Sequence, residues 1–144
     1  KGNVQQLEQV FINVIVNALE SLPDRNRSVR VSARPDSAGN RVIVEVADQG
    51  RGIAEDVMPH LGEPFVTTKA ESGGTGLGLS ITYRIIADHG GEIEAQSDGP
   101  GQGAAFRVRL PLPQYEKEMR HQHRAVDGGR PPGQDHETFF RGAE

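Results

Sequence analysis

Three stretches of the sequence carry residue types at spacings that can do chemistry. Gly73-Gly74-Thr75-Gly76-Leu77-Gly78-Leu79 places four glycines in six residues. It follows polar Lys69-Ala70-Glu71-Ser72 and runs into the apolar-periodic stretch from Leu79 to His89, so a loop feeds a helix N-terminus. Glycine lets backbone N–H groups approach an anion without a Cβ in the way, and a helix start adds partial positive charge. The chemistry would be phosphate binding, with a mobile loop that holds no ligand as the plainer alternative. The second stretch is Asp48-Gln49-Gly50-Arg51-Gly52-Ile53, an acid at a strand end followed by two glycines. It reads either as a site or as an ordinary Asp-Gly turn. The third is the pair Asn13 and Asn17, four residues apart and on one stripe with Gln6, Gln9 and Glu20. A solvated face explains such a stripe, but Asn is a poor choice where Glu or Lys would favour the helix more.

The elements that must position these residues follow from hydrophobic period. Val4, Leu7, Phe11, Val14, Ile15, Ala18 and Leu22 recur at helical spacing, and Pro23-Asp24 ends that helix. Val29, Val31 and Ala33 alternate with polar residues, as do Val42, Val44 and Val46, with the turn Pro35 to Asn40 between them. This predicts an antiparallel hairpin that delivers Asp48 at its end. A short helix and a loop are expected over 54–63, then Glu63-Pro64-Phe65-Val66-Thr67-Thr68-Lys69 and the glycine loop. A helix from about Gly78 to His89 is stopped by Gly90-Gly91. Ile93, Ala95 and Ser97, then Phe106, Val108 and Leu110, form a second hairpin around the turn Asp98 to Gly103. Pro111 and Pro113 close a domain over 1–113. In 114–144 the pattern stops and Gly128, Gly129, Pro131, Pro132 and Gly133 cluster, so this tail is expected to be disordered or loosely structured.

Composition narrows the function classes. A chain of 144 residues suits one domain with a real core. The net charge of -4 gives no electrostatic case for nucleic acid. Without cysteine there is no disulfide, thiol catalysis or Cys-based metal site. No apolar run reaches the ~18 residues of a membrane span. The start at Lys1-Gly2-Asn3, without Met or signal peptide, reads as a piece of a longer protein whose other parts include the option of a membrane anchor.

The order helix, hairpin, acidic glycine box, Pro64-Phe65, glycine loop, helix, hairpin resembles the catalytic, ATP-binding domain of sensor histidine kinases. That domain belongs to the wider ATPase superfamily of gyrase, HSP90, MutL and histidine kinases. Asn13-Val14-Ile15-Val16-Asn17-Ala18 resembles the N box. Asp48-Gln49-Gly50-Arg51-Gly52 resembles the first glycine box, Glu63-Pro64-Phe65 the F box, and Gly74-Thr75-Gly76-Leu77-Gly78-Leu79 the second glycine box. Gly101-Gln102-Gly103 with Phe106 is a weaker echo of the last glycine box. Pro64-Phe65-Val66-Thr67-Thr68-Lys69 and Asp88-His89-Gly90-Gly91 are nearest to kinases of the nitrogen-regulation and dicarboxylate-sensing type.

The resemblance implies an α+β fold, a two-layer α/β sandwich of the Bergerat type, with a mixed, largely antiparallel sheet, helices on one face and an ATP lid. It implies ATP and Mg²⁺ as ligands. Asp48 would accept from the adenine amino group, and Gly50 and Gly52 would leave room for the base. Asn17 would ligate Mg²⁺, whose other ligands are phosphate oxygens and water. Asn13 stands where hydrolysing relatives carry a water-activating Glu, so ATP should be held without being spent on water. The amides of Gly76, Leu77 and Gly78, with Gly74 and Thr75 before them, would cradle the phosphates. Many such kinases carry Lys three residues after the second Asn, where this chain has Glu20. Lys69, with Thr68 as the lesser candidate, would supply the missing contact, a solvated loop lysine being the alternative, and Phe65, otherwise a simple core residue, would complete the site.

No histidine lies in a phosphoacceptor motif, so no catalytic residue of that kind is expected in the chain. His89 reads as a capping or packing residue and not a catalytic one, at a helix end where a partly charged imidazole is favourable. The implied function is the phosphoryl-donor half of a two-component sensor kinase in the cytoplasm, its parent possessing or lacking an inner-membrane anchor. The implied partners are the dimerisation domain of the same parent and a response regulator, with no nucleic acid and no direct membrane contact. An ATP-driven conformational switch and an anti-sigma-type serine kinase share the fold and remain alternatives.

Overall fold

The computed structural model describes residues 2–64, 77–113 and 136–142. In chain order the elements are α1 (Val4–Glu20), β1 (Ser28–Pro35), β2 (Arg41–Asp48), a 3-10 turn at Met58–His60, α2 (Leu77–Asp88), β3 (Glu92–Gln96), β4 (Ala104–Pro111) and β5 (His136–Arg141). Asn3 caps α1, its side chain accepting from the Gln6 N–H at 3.2 Å.

The strands form one sheet in the order β3-β4-β2-β1-β5. Both expected hairpins are present, and every pairing among the described residues is antiparallel. The long-range step is β2 against β4, which pairs Val46 with Phe106 and Asp48 with Ala104. That register sets the acidic end of one hairpin beside the glycine turn of the other.

Alternation puts Val29, Val46, Phe106 and Val108 on one face, where both helices pack. Val14 and Ala18 of α1 join Val29, Val46, Ile53, Leu61 and Phe106 in one cluster. Val10 joins Ile85, Ile86 and Val108 in a second, which bonds α1 to α2. Each fully buried aliphatic side chain contributes about 1.5–3 kcal/mol. The opposite face is a cross-strand lattice of charge: Arg30 with Glu45 and Glu137, Arg107 with Glu45, Arg109 with Glu94, and Arg41 with Glu92. The exposed ones among these pairs hold register more than they stabilise.

His89 ties the end of α2 to the start of α1. Its Nδ1 lies 2.7 Å from the Ile85 carbonyl, and its Nε2 accepts from the Asn3 N–H at 2.9 Å. With both ring nitrogens bonded to backbone, the side chain is a hydrogen-bonded link between the two helices, the capping or packing role expected at a helix end.

The tail corrects the sequence reading in part. His136–Arg141 was expected to be disordered or loosely structured, yet it forms β5 along the outer edge of β1. Phe140 pairs with Val29 and so extends the helix-bearing face, while Phe139 pairs with Arg30 on the other. An otherwise open edge of β1, with unpaired N–H and C=O groups, is what the strand satisfies. The remainder of 114–135 lies outside the described residues, as do Phe65, Thr68, Lys69, Gly74, Thr75 and Gly76 of the expected lid.

Candidate functional site

Asp48 is the last residue of β2, and its side chain is partly buried. Its Oδ1 accepts from the Gly50 N–H at 2.8 Å and the Ala104 N–H at 3.2 Å. Burial pushes the carboxyl above the ordinary aspartate range, against the opposing pull of the Gly50 and Ala104 N–H groups and the Arg51 charge. Burial raises a carboxyl because it penalises the ion, and hydrogen bonds to the ion oppose that. A carboxylate held in this way is a directed acceptor at the end of β2.

Three segments meet around it. The end of α1 supplies Ser21, whose hydroxyl donates to the Ala18 carbonyl at 2.7 Å. The loop after β2 is tied to that helix end by Arg51, whose N–H donates to the Ser21 carbonyl at 3.0 Å and whose guanidinium donates to the Glu20 carbonyl at 2.9 Å. The turn between β3 and β4 closes the third side. There Gly101 N–H donates to Arg51 O at 2.7 Å and Gly103 N–H to Gly50 O at 3.1 Å.

Packing within the chain gives the glycines a further physical reason. A Cβ on Gly50 would lie 2.0 Å from the Ser21 hydroxyl oxygen, and one on Gly52 would lie 2.1 Å from the Gly99 carbonyl oxygen. Both are glycine because other parts of the chain approach them, whatever room they also leave for a base. Gly103 has φ of +71°, and a Cβ there would lie 2.1 Å from the Asp48 carbonyl oxygen.

Asn13 and Asn17 sit on α1 and are partly buried, one turn apart, beside the buried stripe Val10, Val14 and Ala18. The Asn17 carbonyl accepts from the Ser21 N–H at 3.2 Å, so the Asn pair leads directly into the helix end that touches the Asp48 loop. Leu77 opens α2, and Gly78 is exposed, with nothing among the described residues within 4 Å of where its Cβ would stand. Among the described residues no three His, Asp or Glu side chains converge as a metal site. No described helix is long and apolar enough to cross a membrane.

The structure thus assembles Asp48, Gly50 and Gly52 with the end of the Asn helix. The sequence reading missed Ser21, Ser97 and Ala104 and gave Gly103 too little weight. The available signal was the glycine run of the 99–103 turn, which returns the chain to the start of β4.

The family described as histidine kinase-, DNA gyrase B-, and HSP90-like ATPase matches residues 2–114. Sporulation kinase E of Bacillus subtilis is 44% identical over 116 residues, which is 80% of this chain and 15% of that kinase. The chain therefore spans a small part of that relative. Among solved structures, the catalytic domain of the histidine kinase ThkA is 33% identical, with a TM-score of 0.64, and the match covers 76% of this chain and 68% of that one. Full-length ShkA in complex with AMPPNP is 35% identical, with a TM-score of 0.63, over 74% of this chain and 21% of that one.

Proposed function

We infer the function from one premise: the chain belongs to the histidine kinase-, DNA gyrase B-, and HSP90-like ATPase family. Its role is that of the ATP-binding phosphoryl donor of a two-component sensor kinase. It would present the γ-phosphate of ATP to a histidine on a separate dimerisation domain, from which a response regulator takes it. The observation that carries this reading is the partly buried Asp48, held at the strand end by the Gly50 and Ala104 N–H groups. A carboxylate fixed there accepts from the exocyclic amino group of adenine.

The remaining site residues take the roles that the motifs suggest. Asn17 would offer an amide oxygen to Mg²⁺, whose other ligands would be phosphate oxygens and water. The ion would neutralise charge on the phosphates. Gly78, open at the start of α2, and Leu77 would supply N–H groups to the phosphates with Gly74, Thr75 and Gly76, and Lys69, with Thr68 as the lesser candidate, would supply the contact that Glu20 does not. Phe65 would complete the site, as its place in the F-box motif suggests. Asn13 lacks the basicity to activate water, which favours a donor over a hydrolysing switch.

Calorimetry of the chain with ADP in magnesium buffer tests the nucleotide half of this reading. Saturable 1:1 heat is expected. Neither heat nor a thermal shift at millimolar nucleotide would sink it.

A further inference from the structure

We propose that Ser97 is a positioning residue for Asp48, acting through the one peptide unit that joins Gly103 to Ala104. The proposal rests on the reading of Asp48 as the adenine acceptor. The Ser97 hydroxyl donates to the Gly103 carbonyl at 2.6 Å. The N–H on the other side of that same peptide unit belongs to Ala104 and donates to Asp48 Oδ1 at 3.2 Å. A peptide unit is planar, with its C=O and N–H directed oppositely, so fixing one end fixes the aim of the other. A hydrogen bond at the carbonyl also polarises the N–H, which strengthens the bond to the carboxylate.

The hydroxyl has one proton, and geometry decides where it goes. The alternative acceptor, the Gly99 carbonyl, lies at 3.4 Å, well beyond the 2.6 Å of Gly103. As an acceptor, the same oxygen takes the Ile53 N–H at 3.0 Å and the Gly99 N–H at 3.3 Å. One side chain therefore pins the far end of the Asp48 loop and the turn that completes the carboxylate's cage. Gly103 N–H bonded to Gly50 O closes the ring of contacts. Ser97 needs no contact with the nucleotide to do this.

Removing the hydroxyl frees the Gly103–Ala104 peptide to rotate and leaves Asp48 less well aimed. The consequence is specific to a ligand whose amino group Asp48 must meet. The test titrates the full chain, in magnesium buffer, with ATP and with purine riboside triphosphate, which lacks the 6-amino group. Wild type should prefer ATP. Ser97→Ala should lose affinity for ATP by about five- to tenfold, the size of one hydrogen bond, while binding of the analogue changes by less than about twofold. Ser97→Thr, which keeps the hydroxyl, should restore the preference. If Ser97→Ala does not fold, Ser97→Cys, of similar size with a weak donor, carries the same comparison. Equal losses for both nucleotides, or an unchanged ATP affinity, would overturn the proposal. A wild type without preference for ATP would instead overturn the reading of Asp48, and this proposal with it.

Discussion

Replacing Asp48 by Asn should weaken adenine-nucleotide binding by about 10- to 150-fold, the 1.5–3 kcal/mol of a hydrogen bond to a charged group. The melting temperature of the nucleotide-free chain should at the same time stay level or rise at neutral pH. The two effects separate because they have different origins. The amide oxygen of Asn can still accept from Gly50 and Ala104, so the loop keeps its bonds. The amide nitrogen, however, is a donor where the carboxylate had only acceptors, and the adenine amino group is also a donor. Stability follows from linkage. Burial holds the Asp48 carboxyl above its ordinary range in the native state. Between the unfolded and the native values the native state therefore binds more protons, and stability falls as pH rises through that window. Above it, ionised Asp48 works against folding. The advantage of Asp48→Asn should be absent in acid and appear on the way to neutral pH. A matched set of melting curves and titrations checks both, and equal nucleotide affinity in the two proteins would remove Asp48 from the site.

Gly103→Ala should act on stability in the opposite sense, lowering it heavily and binding with it. Its φ of +71° is a conformation that side chains rarely adopt, and the added Cβ would lie 2.1 Å from the Asp48 carbonyl oxygen and 3.3 Å from the Gln49 Cα. Both obstacles are backbone of the site strand, with no side chain free to swing away. A cost of about 3 kcal/mol or more is expected, lowering the melting temperature by roughly 10 °C. Gly101→Ala is the control. It has φ of +76° but open space around the new Cβ, so it should show the conformational part alone, about 1–2 kcal/mol. If the two variants melt together, the close packing of Gly103 on Asp48 is not what the site requires.

Local period made most of the fold legible. Val10, Val14 and Ala18 on one helix face, and the alternation through Val29 and Val46, are consequences of burial against a single layer. The boundaries agree within a residue or two for α1, α2 and the four strands of the two hairpins. What was hidden depends on pairing between distant segments. Nothing in His136-Glu137-Thr138-Phe139-Phe140-Arg141 says that it will meet Ser28–Ala33, because a short strand beyond a Gly- and Pro-rich stretch has no periodic neighbours. The same holds for the site. Asp48 stands out in the sequence, but Ser97 and Ala104 acquire meaning only when β4 lies against β2 and brings the 99–103 turn onto it. Hydrogen bonds through main-chain groups leave little trace in residue type. The lid residues Phe65, Thr68, Lys69, Gly74, Thr75 and Gly76 keep their roles as proposals, since they lie outside the described residues.

The most direct test of the donor reading mixes this chain with radiolabelled Mg·ATP, first alone and then with a separately produced dimerisation domain of the same parent kinase. Phosphoryl transfer depends on an in-line nucleophile placed beside the γ-phosphate. Two described histidines, His60 and His89, are poorly suited to that. His89 has both ring nitrogens bonded to backbone, and His60 bonds Glu63 at 2.9 Å. The account predicts label only in the second mixture, on the added domain. Acid-labile label on this chain alone would mean that His60, His89, His121, His123 or His136 accepts the phosphoryl group, and would contradict a donor-only role.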